Sequence, residues 1–291
     1  IELYDRTLEQ HILSCVGQQQ NSLRVLLVNR YYAGMSATGQ VLEDLAEDLV
    51  RSGAAVTILT GSLSYENPAP LPGRNELIRG VHIARLSATH FGRSSSLNRT
   101  MDFIFFYLSS ILWILRTPAH QYTHVMVFTD PPLIAVAGYV ASLFKDWKFV
   151  YNIQDLYPEI ALALGVMENG FIFRCCHRLN RILLHKADTI VTISQQMAEH
   201  IRKITGPDAY IEVIPNWTDG QKIRPVQQSQ NPLPQQLNMQ DVYTVIYAGN
   251  MGLAQEIDVL IGLTKTFKDR RDIQFLFIGG GVRRTALEEA V

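Results

Sequence analysis

The chain has 291 residues, 47% of them hydrophobic, and its 26 Lys and Arg nearly balance 27 Asp and Glu to leave a net charge of -1. That length favours two domains, and that apolar content excludes a disordered chain. A general nucleic-acid binder carries a basic excess, so no nucleic-acid partner is expected.

The cysteines are Cys15, Cys175 and Cys176. They form no C-x-x-C, adjacent cysteines rarely bridge each other, and a reducing, cytoplasmic setting fits best. Residues 1–22 precede the first strand and read as an N-terminal extension. Their opening, IELYDRTLEQHILSCV, lacks the basic start and long apolar stretch of a cleavable signal peptide.

From Leu23 onward apolar runs alternate with helical patterns. LRVLLV (23–28) reads as a strand. SATGQVLEDLAEDLVRSG (36–53) reads as an amphipathic helix: Val41, Leu42, Leu45, Leu49 and Val50 share a face, Ser36 and Thr38 can cap the start, and Gly53 stops it. AVTILT (55–60) and VHIARL (81–86) are further strands. MDFIFFYLSSILWIL (101–115) is helical but falls short of the ~20 residues a spanning helix needs. It reads either as a helix buried inside a domain or as a surface helix touching a bilayer, with Arg93, Arg99 and Arg116 beside it. HVMVFT (124–129) is a strand ending at Asp130-Pro131-Pro132, and a helix follows to Phe144. KFVYNI (148–153) and DTIVTIS (188–194) are strands, QQMAEHIRKI is a helix, and IEVI (211–214) is a short strand. His177 and His185, beside Arg174, Arg178, Arg181 and Lys186, read as a basic helical face, solvated or at a membrane surface.

This alternation predicts a parallel sheet with helices on both faces, and in such sheets ligands sit at the carboxyl ends of the strands. The loops after Val28, Thr60, Phe128, Ile153 and Ile214 are therefore the ones to inspect. The Gln- and Pro-rich stretch 221–241 breaks the pattern and reads as a linker or an exposed hairpin-like excursion. Alternation restarts with VYTVIYAG (242–249), helix AQEIDVLIGLTKTF (254–267) and strand IQFLFIG (273–279). Two such strands cannot bury an independent doubly wound core. The expected organisation is a complete domain at 23–220, a linker at 221–240 and the incomplete start of a second α/β domain at 241–291.

Four loops could carry chemistry. In YYAGMSATGQ (31–40), Gly34 and Gly39 have the outer spacing of a phosphate loop, but no Gly-Lys-Ser/Thr follows. The second strand ends in Thr60-Gly61 without the acidic residue that holds a ribose, so a nicotinamide cofactor is not expected. What remains is a glycine-containing loop at a helix start, suited to an anion or a sugar hydroxyl, or a plain βα turn. In YNIQDLYPEIALALG (151–165), Asn152, Gln154, Asp155, Tyr157 and Glu159 cluster where the chain leaves the sheet. Asp155 is placed for hydrogen bonding to a ligand or for proton work, though capping the next helix is the commoner use at that spacing; Glu159 suits the helix dipole. In VIPNWTDG (213–220), Asn216 follows the last strand of the first domain and would face an interdomain cleft. In YAGNMGLAQE (247–256), Gly249 and Gly252 bracket Asn250 and Met251 at a helix start where backbone N–H groups could face a pyrophosphate. There is no H-E-x-x-H zinc pattern, so no metal site is expected, and there is no G-x-S-x-G elbow for a hydrolase.

Taken together and in order, NRYYAGMSATGQ, YNIQDLYPE, VIPNW, YAGNMGLAQ and FIGGGVRRTALE resemble the retaining glycosyltransferases of family four, which have the GT-B fold. YNIQDLYPE and YAGNMGLAQ look closest to enzymes building bacterial capsule, colanic-acid or O-antigen sugars. The resemblance implies an N-terminal acceptor domain and a C-terminal donor domain, both Rossmann-like, with a UDP-, GDP- or dTDP-sugar as donor. It implies a saccharide or polyprenyl-diphosphate-linked acceptor, peripheral contact with the cytoplasmic face of the inner membrane, and no cofactor or metal. Gly34, Met35, Ser36 and Thr38 would line the cleft near donor phosphates or acceptor, and Asp155 falls in the active-site loop, with Tyr157, Glu159 and Asn216 near the acceptor. Asn250 and Gly252 match the first donor-domain loop; Gly279, Gly281 and Arg284 match the second. The sequence departs from the family in its neutral Asn250 and Gln255, where a basic residue is frequent. The donor domain's later strands, with their lysine-bearing loop and glutamate pair, are also lacking, so the chain alone is expected to be inactive. Two alternatives share the architecture: a non-catalytic binding or assembly module, and a nucleotide-sugar epimerase.

Overall fold

The computed structural model describes residues 23–32, 37–62, 75–87, 96–220, 223–237, 239 and 242–290. The chain divides into two compact units, Ile1–Thr218 and Asp219–Val291.

In the first unit β1 (Arg24–Val28), α1 (Ala37–Arg51), β2 (Ala55–Gly61), β3 (Asn75–Ile78) and β4 (Val81–Leu86) come first. They are followed by α2 (Ser96–Arg116), β5 (His124–Val127), α3 (Ala135–Lys145), β6 (Lys148–Ile153), α4 (Glu159–Ala163), α5 (Phe171–Lys186), β7 (Thr189–Thr192), α6 (Gln195–Thr205) and β8 (Ile211–Val213). The eight strands form one sheet in the order β3-β4-β2-β1-β5-β6-β7-β8. Every pair is parallel except β3 with β4. Strands covered on both faces are apolar at consecutive positions rather than alternate ones. Leu26, Leu27 and Val28 are accordingly all buried, Leu26 and Val28 in one core and Leu27 in the other. Helix α1 lays Leu42, Leu45, Ala46 and Leu49 onto the second core, while α3, α5 and α6 contribute Ala137, Leu183 and Ile201 to the first.

Strand β3 escapes sequence reading. NELI has no long apolar run, and its place at the sheet edge is set by a two-residue turn in which Arg79 and Gly80 both have positive φ, 49° and 82°. Arg79 also reaches α1, with a guanidinium nitrogen 2.6 Å from Glu47 and 3.8 Å from Glu43.

Helix α2 runs longer than its apolar segment, 21 residues in all. The helix is neither wholly buried nor wholly exposed: Asp102, Phe106, Ser110 and Ile114 are buried, whereas Ile104, Leu108 and Leu112 are exposed. No helix among the described residues is long and apolar enough to cross a membrane.

In the second unit, the stretch read as a linker or hairpin-like excursion holds a helical turn at Gln228–Gln230 and the short helix α7 (Leu233–Gln236). Prolines at 232 and 234 suit a helix start and exclude strand pairing. Then β9 (Tyr243–Ala248), α8 (Ile257–Thr266), β10 (Ile273–Ile278) and α9 (Arg284–Ala290) follow. β9 and β10 pair in parallel, and Met251, Ile257 and Leu287 form a small core.

Candidate functional site

The chain leaves β1 toward β2 on one side and β5 toward β6 on the other, so the strand order reverses between β1 and β5. The carboxyl ends of those strands are where such sheets hold ligands. The Arg30 backbone ties three loops there. Its N–H donates to Asp130 O at 2.9 Å, and its carbonyl accepts from the Gly61 N–H and the Thr60 hydroxyl, each at 3.0 Å. The Arg30 guanidinium lies 5.0 Å from the Phe103 ring centre, 5.4 Å from that of Tyr31 and 3.8 Å from Asp102. Asn29 donates to Tyr31 O at 2.8 Å, and its own Oδ1 is buried with no hydrogen-bond partner.

Gln154 does the same work on the other side of the reversal with side-chain amides. Its Nε2 donates to Asn152 Oδ1 at 2.8 Å, its backbone N–H to Thr129 Oγ1 at 3.3 Å, and its Oε1 accepts from Asn216 Nδ2 at 2.8 Å. The loops after β5, β6 and β8 are thereby joined through one residue, by its backbone N–H and its side chain.

Asp155 follows immediately. It does not cap α4, whose N-cap is Pro158 and makes no side-chain bond. The capping expectation fails because Pro158 delays the helix beyond the reach of that carboxylate. Asp155 is exposed, and partial desolvation raises its pKa above the ordinary carboxylate value. Tyr157 is half-buried; desolvation first, then the charges of Asp155 and Asp130, push its hydroxyl up to about 12, so it remains a proton donor at neutral pH. Asn180 holds this corner, donating to Tyr157 O at 2.7 Å and accepting from the Tyr151 hydroxyl at 3.3 Å. Glu159 opens α4 as expected from the dipole argument and also meets His177 Nδ1 at 2.9 Å, tying α4 to α5. Amides, a carboxylate and a phenol brought together in this way offer both donors and acceptors, the complement a polyhydroxylated ligand requires.

Gly34, Met35 and Ser36 lie outside the described residues. Thr38 is half-buried in the first turn of α1.

In the second unit the loops after β9 and β10 interlock. Gly249 N–H donates to Ile278 O at 2.9 Å, Met251 N–H to Gly280 O at 2.6 Å, and Arg283 N–H to Met251 O at 2.9 Å. Gly279 and Gly281 have φ of 147° and 137°. A Cβ on Gly279 would stand 1.9 Å from Gly249 O, and one on Gly281 would stand 2.4 Å from Met251 O. These glycines let loop approach loop. Gly252 is buried, and its N–H donates to Gln255 Oε1 at 3.0 Å. Asn250 is exposed and its carbonyl accepts from the Tyr247 hydroxyl at 2.7 Å. Arg284 is exposed and paired with Glu288 at 2.7 Å within α9, while Arg283 pairs with Asp258. Beside these loops a hollow of about 270 Å³ is lined by Leu253, Gln255, Glu256, Asp258, Val259 and Arg283. Among the described residues no group of three or more His, Cys, Asp or Glu could hold a metal ion.

The residues that sequence reading passed over are Arg30, Asn29, Thr129 and Asn180. Asn29 and Arg30 directly follow an apolar strand, and that position was the available signal.

The family described as "Glycosyl transferase 4-like domain" matches residues 36–217. No curated protein matches the sequence. Among solved structures, sucrose-phosphate synthase from Thermosynechococcus elongatus is similar with a TM-score of 0.64 at 15% identity, covering 92% of this chain and 65% of that one. Anabaena HepE in complex with UDP and glucose is similar with a TM-score of 0.60 at 15% identity, covering 92% of this chain and 64% of that one. The chain spans less than two thirds of either structure. These likenesses show the fold: an α/β architecture with a large parallel sheet, matching GT-B glycosyltransferases, as the loop order implied.

Proposed function

The chain belongs to the glycosyl transferase 4-like family, and from that premise we propose that it serves a retaining glycosyltransferase of bacterial surface polysaccharide synthesis. The donor is a nucleoside diphosphate sugar and the acceptor a saccharide on a polyprenyl diphosphate. The observation that carries this reading is the family match over 36–217, the region holding the Arg30-tied and Gln154-tied loops or adjoining them. HepE, whose structure holds UDP and glucose, supports the donor class.

In this reading the carboxyl-end loops of the first unit hold the acceptor. Asp155 accepts a hydrogen bond from an acceptor hydroxyl beside the attacking one and so orients the acceptor, the Tyr157 phenol donates to a neighbouring sugar oxygen, and the Gln154–Asn216 pair fixes the loops that carry them. The loops around Asn250, Gly252 and Gly279–Gly281 hold the donor nucleotide. The bond from the anomeric carbon to the donor phosphate breaks, and its electron pair leaves with the nucleoside diphosphate. The acceptor oxygen bonds to that carbon on the same face, and its proton passes to the departing phosphate oxygen. Backbone N–H groups and basic side chains stabilise that leaving charge without a metal.

The test is an assay of the native protein against UDP-, GDP- and dTDP-sugars, with and without a polyprenyl-diphosphate saccharide. Nucleoside diphosphate release that requires acceptor supports the reading. Acceptor-independent epimerisation of the donor would move the assignment to an isomerase, and no turnover with any pair would leave only a binding module.

A further inference from the structure

Helix α5 buries Asn180, Leu183 and Leu184. The two leucines belong to the first core cluster. Asn180, only 6% exposed, is the polar member, and a buried amide costs free energy unless its ends are bonded. Both ends are. Nδ2 donates to Tyr157 O at 2.7 Å, and Oδ1 accepts from the Tyr151 hydroxyl at 3.3 Å. A carbonyl can only accept, so these two partners fix which way round the amide sits. Leucine has the same branching at Cγ and no polar atom to satisfy. Burial alone therefore favours leucine at 180, and the amide is accounted for by the loop it holds.

That loop is gripped twice from one helix. Three residues before Asn180, and so on the same face of α5, His177 Nδ1 meets Glu159 at 2.9 Å while its ring stacks on Phe173 at 5.9 Å. The two contacts stand on either side of Pro158, which has no N–H of its own to tie. Tyr151 is anchored in turn: it lies on β6, is buried, and stacks on Phe149 at 6.0 Å. A strand residue thus orients the amide, and the amide holds the backbone of Tyr157.

We propose that Asn180 is a positioning residue for the acceptor: by holding the Tyr157 carbonyl it sets where the Tyr157 phenol stands. The inference rests on the reading that this phenol donates to an acceptor sugar oxygen. Asn180 itself acts through Tyr157 alone. Such placement matters because a displacement of about 1 Å can cost about a hundredfold in rate.

The test combines kinetics, thermal unfolding and the fluorine NMR signal of 3-fluorotyrosine placed at position 157 of the native protein. Asn180→Leu should lower kcat by about tenfold or more, leave KM for the nucleotide sugar unchanged and shift the fluorine signal. It should also lower the unfolding midpoint, because the buried Tyr151 hydroxyl loses its acceptor. Adding Tyr151→Phe removes that orphaned hydroxyl, so the midpoint should recover while kcat stays low and the signal stays shifted. In a Tyr157→Phe background, Asn180→Leu should cost no further activity. Recovery of kcat together with the midpoint would overturn the proposal and leave Asn180 purely structural. An unmoved fluorine signal, or an undiminished loss of kcat in the Tyr157→Phe background, would overturn it too. A parent that transfers no sugar would remove the transferase reading, and with it the acceptor role. The fluorine signal and the midpoints would still decide whether Asn180 places Tyr157, so the two failures are told apart.

Discussion

The Asn216 side-chain amide donates to Gln154 Oε1 at 2.8 Å across 62 residues of sequence. Gln154 in turn reaches the buried Asn152, so truncating it removes the donor to Asn152 Oδ1, while the exposed Asn216 amide turns to water. Gln154→Ala should cost about 1–2 kcal/mol, and Asn216→Ala, at an exposed position, only about 0.5 kcal/mol. A double-mutant cycle by chemical denaturation should show coupling between the pair. Purely additive losses would mean the bond does not hold the loops.

Gly279 and Gly280 are neighbours with opposite demands. A Cβ on Gly279 meets Gly249 O at 1.9 Å, whereas nothing lies within 4 Å of one on Gly280. Gly279→Ala should destabilise the second unit by about 3 kcal/mol or more, from backbone strain and overpacking together. Gly280→Ala should change stability by less than about 0.5 kcal/mol. Comparable unfolding curves for the two would contradict the interlocked loops.

Asp155 carries a raised pKa caused by desolvation. The folded state therefore binds its proton more tightly than the unfolded chain. The associated stability is present below the ordinary carboxylate pKa and is lost as pH rises through the raised value. Asp155→Asn should remove that pH dependence and be neutral or slightly stabilising at pH 7, while poorer orientation of the acceptor lowers transfer by about a hundredfold. A variant that loses stability at neutral pH would show that Asp155 is structural.

Asp102 and Arg30 form a pair whose side chains are only 6% and 14% exposed. Removing the carboxylate strands a largely buried guanidinium. Asp102→Ala should cost about 2 kcal/mol, below the figure for a fully buried close pair because the separation is 3.8 Å. An unfolding midpoint equal to the parent's would show that Arg30 is held by the Phe103 and Tyr31 rings alone.

Much of the first unit was legible because its strands are buried on both faces. Leu26, Leu27 and Val28 are continuous in apolar character for that reason. β3 was not legible, since NELI is a short edge strand defined by the Arg79-Gly80 turn after it. The two sides of α2 could not be told apart in sequence: Ile114 is buried and Leu112 exposed, chemically alike and separated by tertiary contact alone. Sequence placed Asp155, Asn216 and the glycine loops at strand ends. It could not supply the long-range Gln154–Asn216 bond. Nor could it give the reason for Gly279 and Gly281, which lies in the carbonyls of Gly249 and Met251.

The most direct test follows the transferred sugar itself. A donor carbon-labelled at its anomeric position is incubated with the native protein and a polyprenyl-diphosphate saccharide, and the label is located by NMR. The account predicts label joined to the acceptor with the donor's anomeric configuration retained and one nucleoside diphosphate released per sugar moved. Label that remains in the nucleotide sugar, or that arrives with inverted configuration, would contradict it.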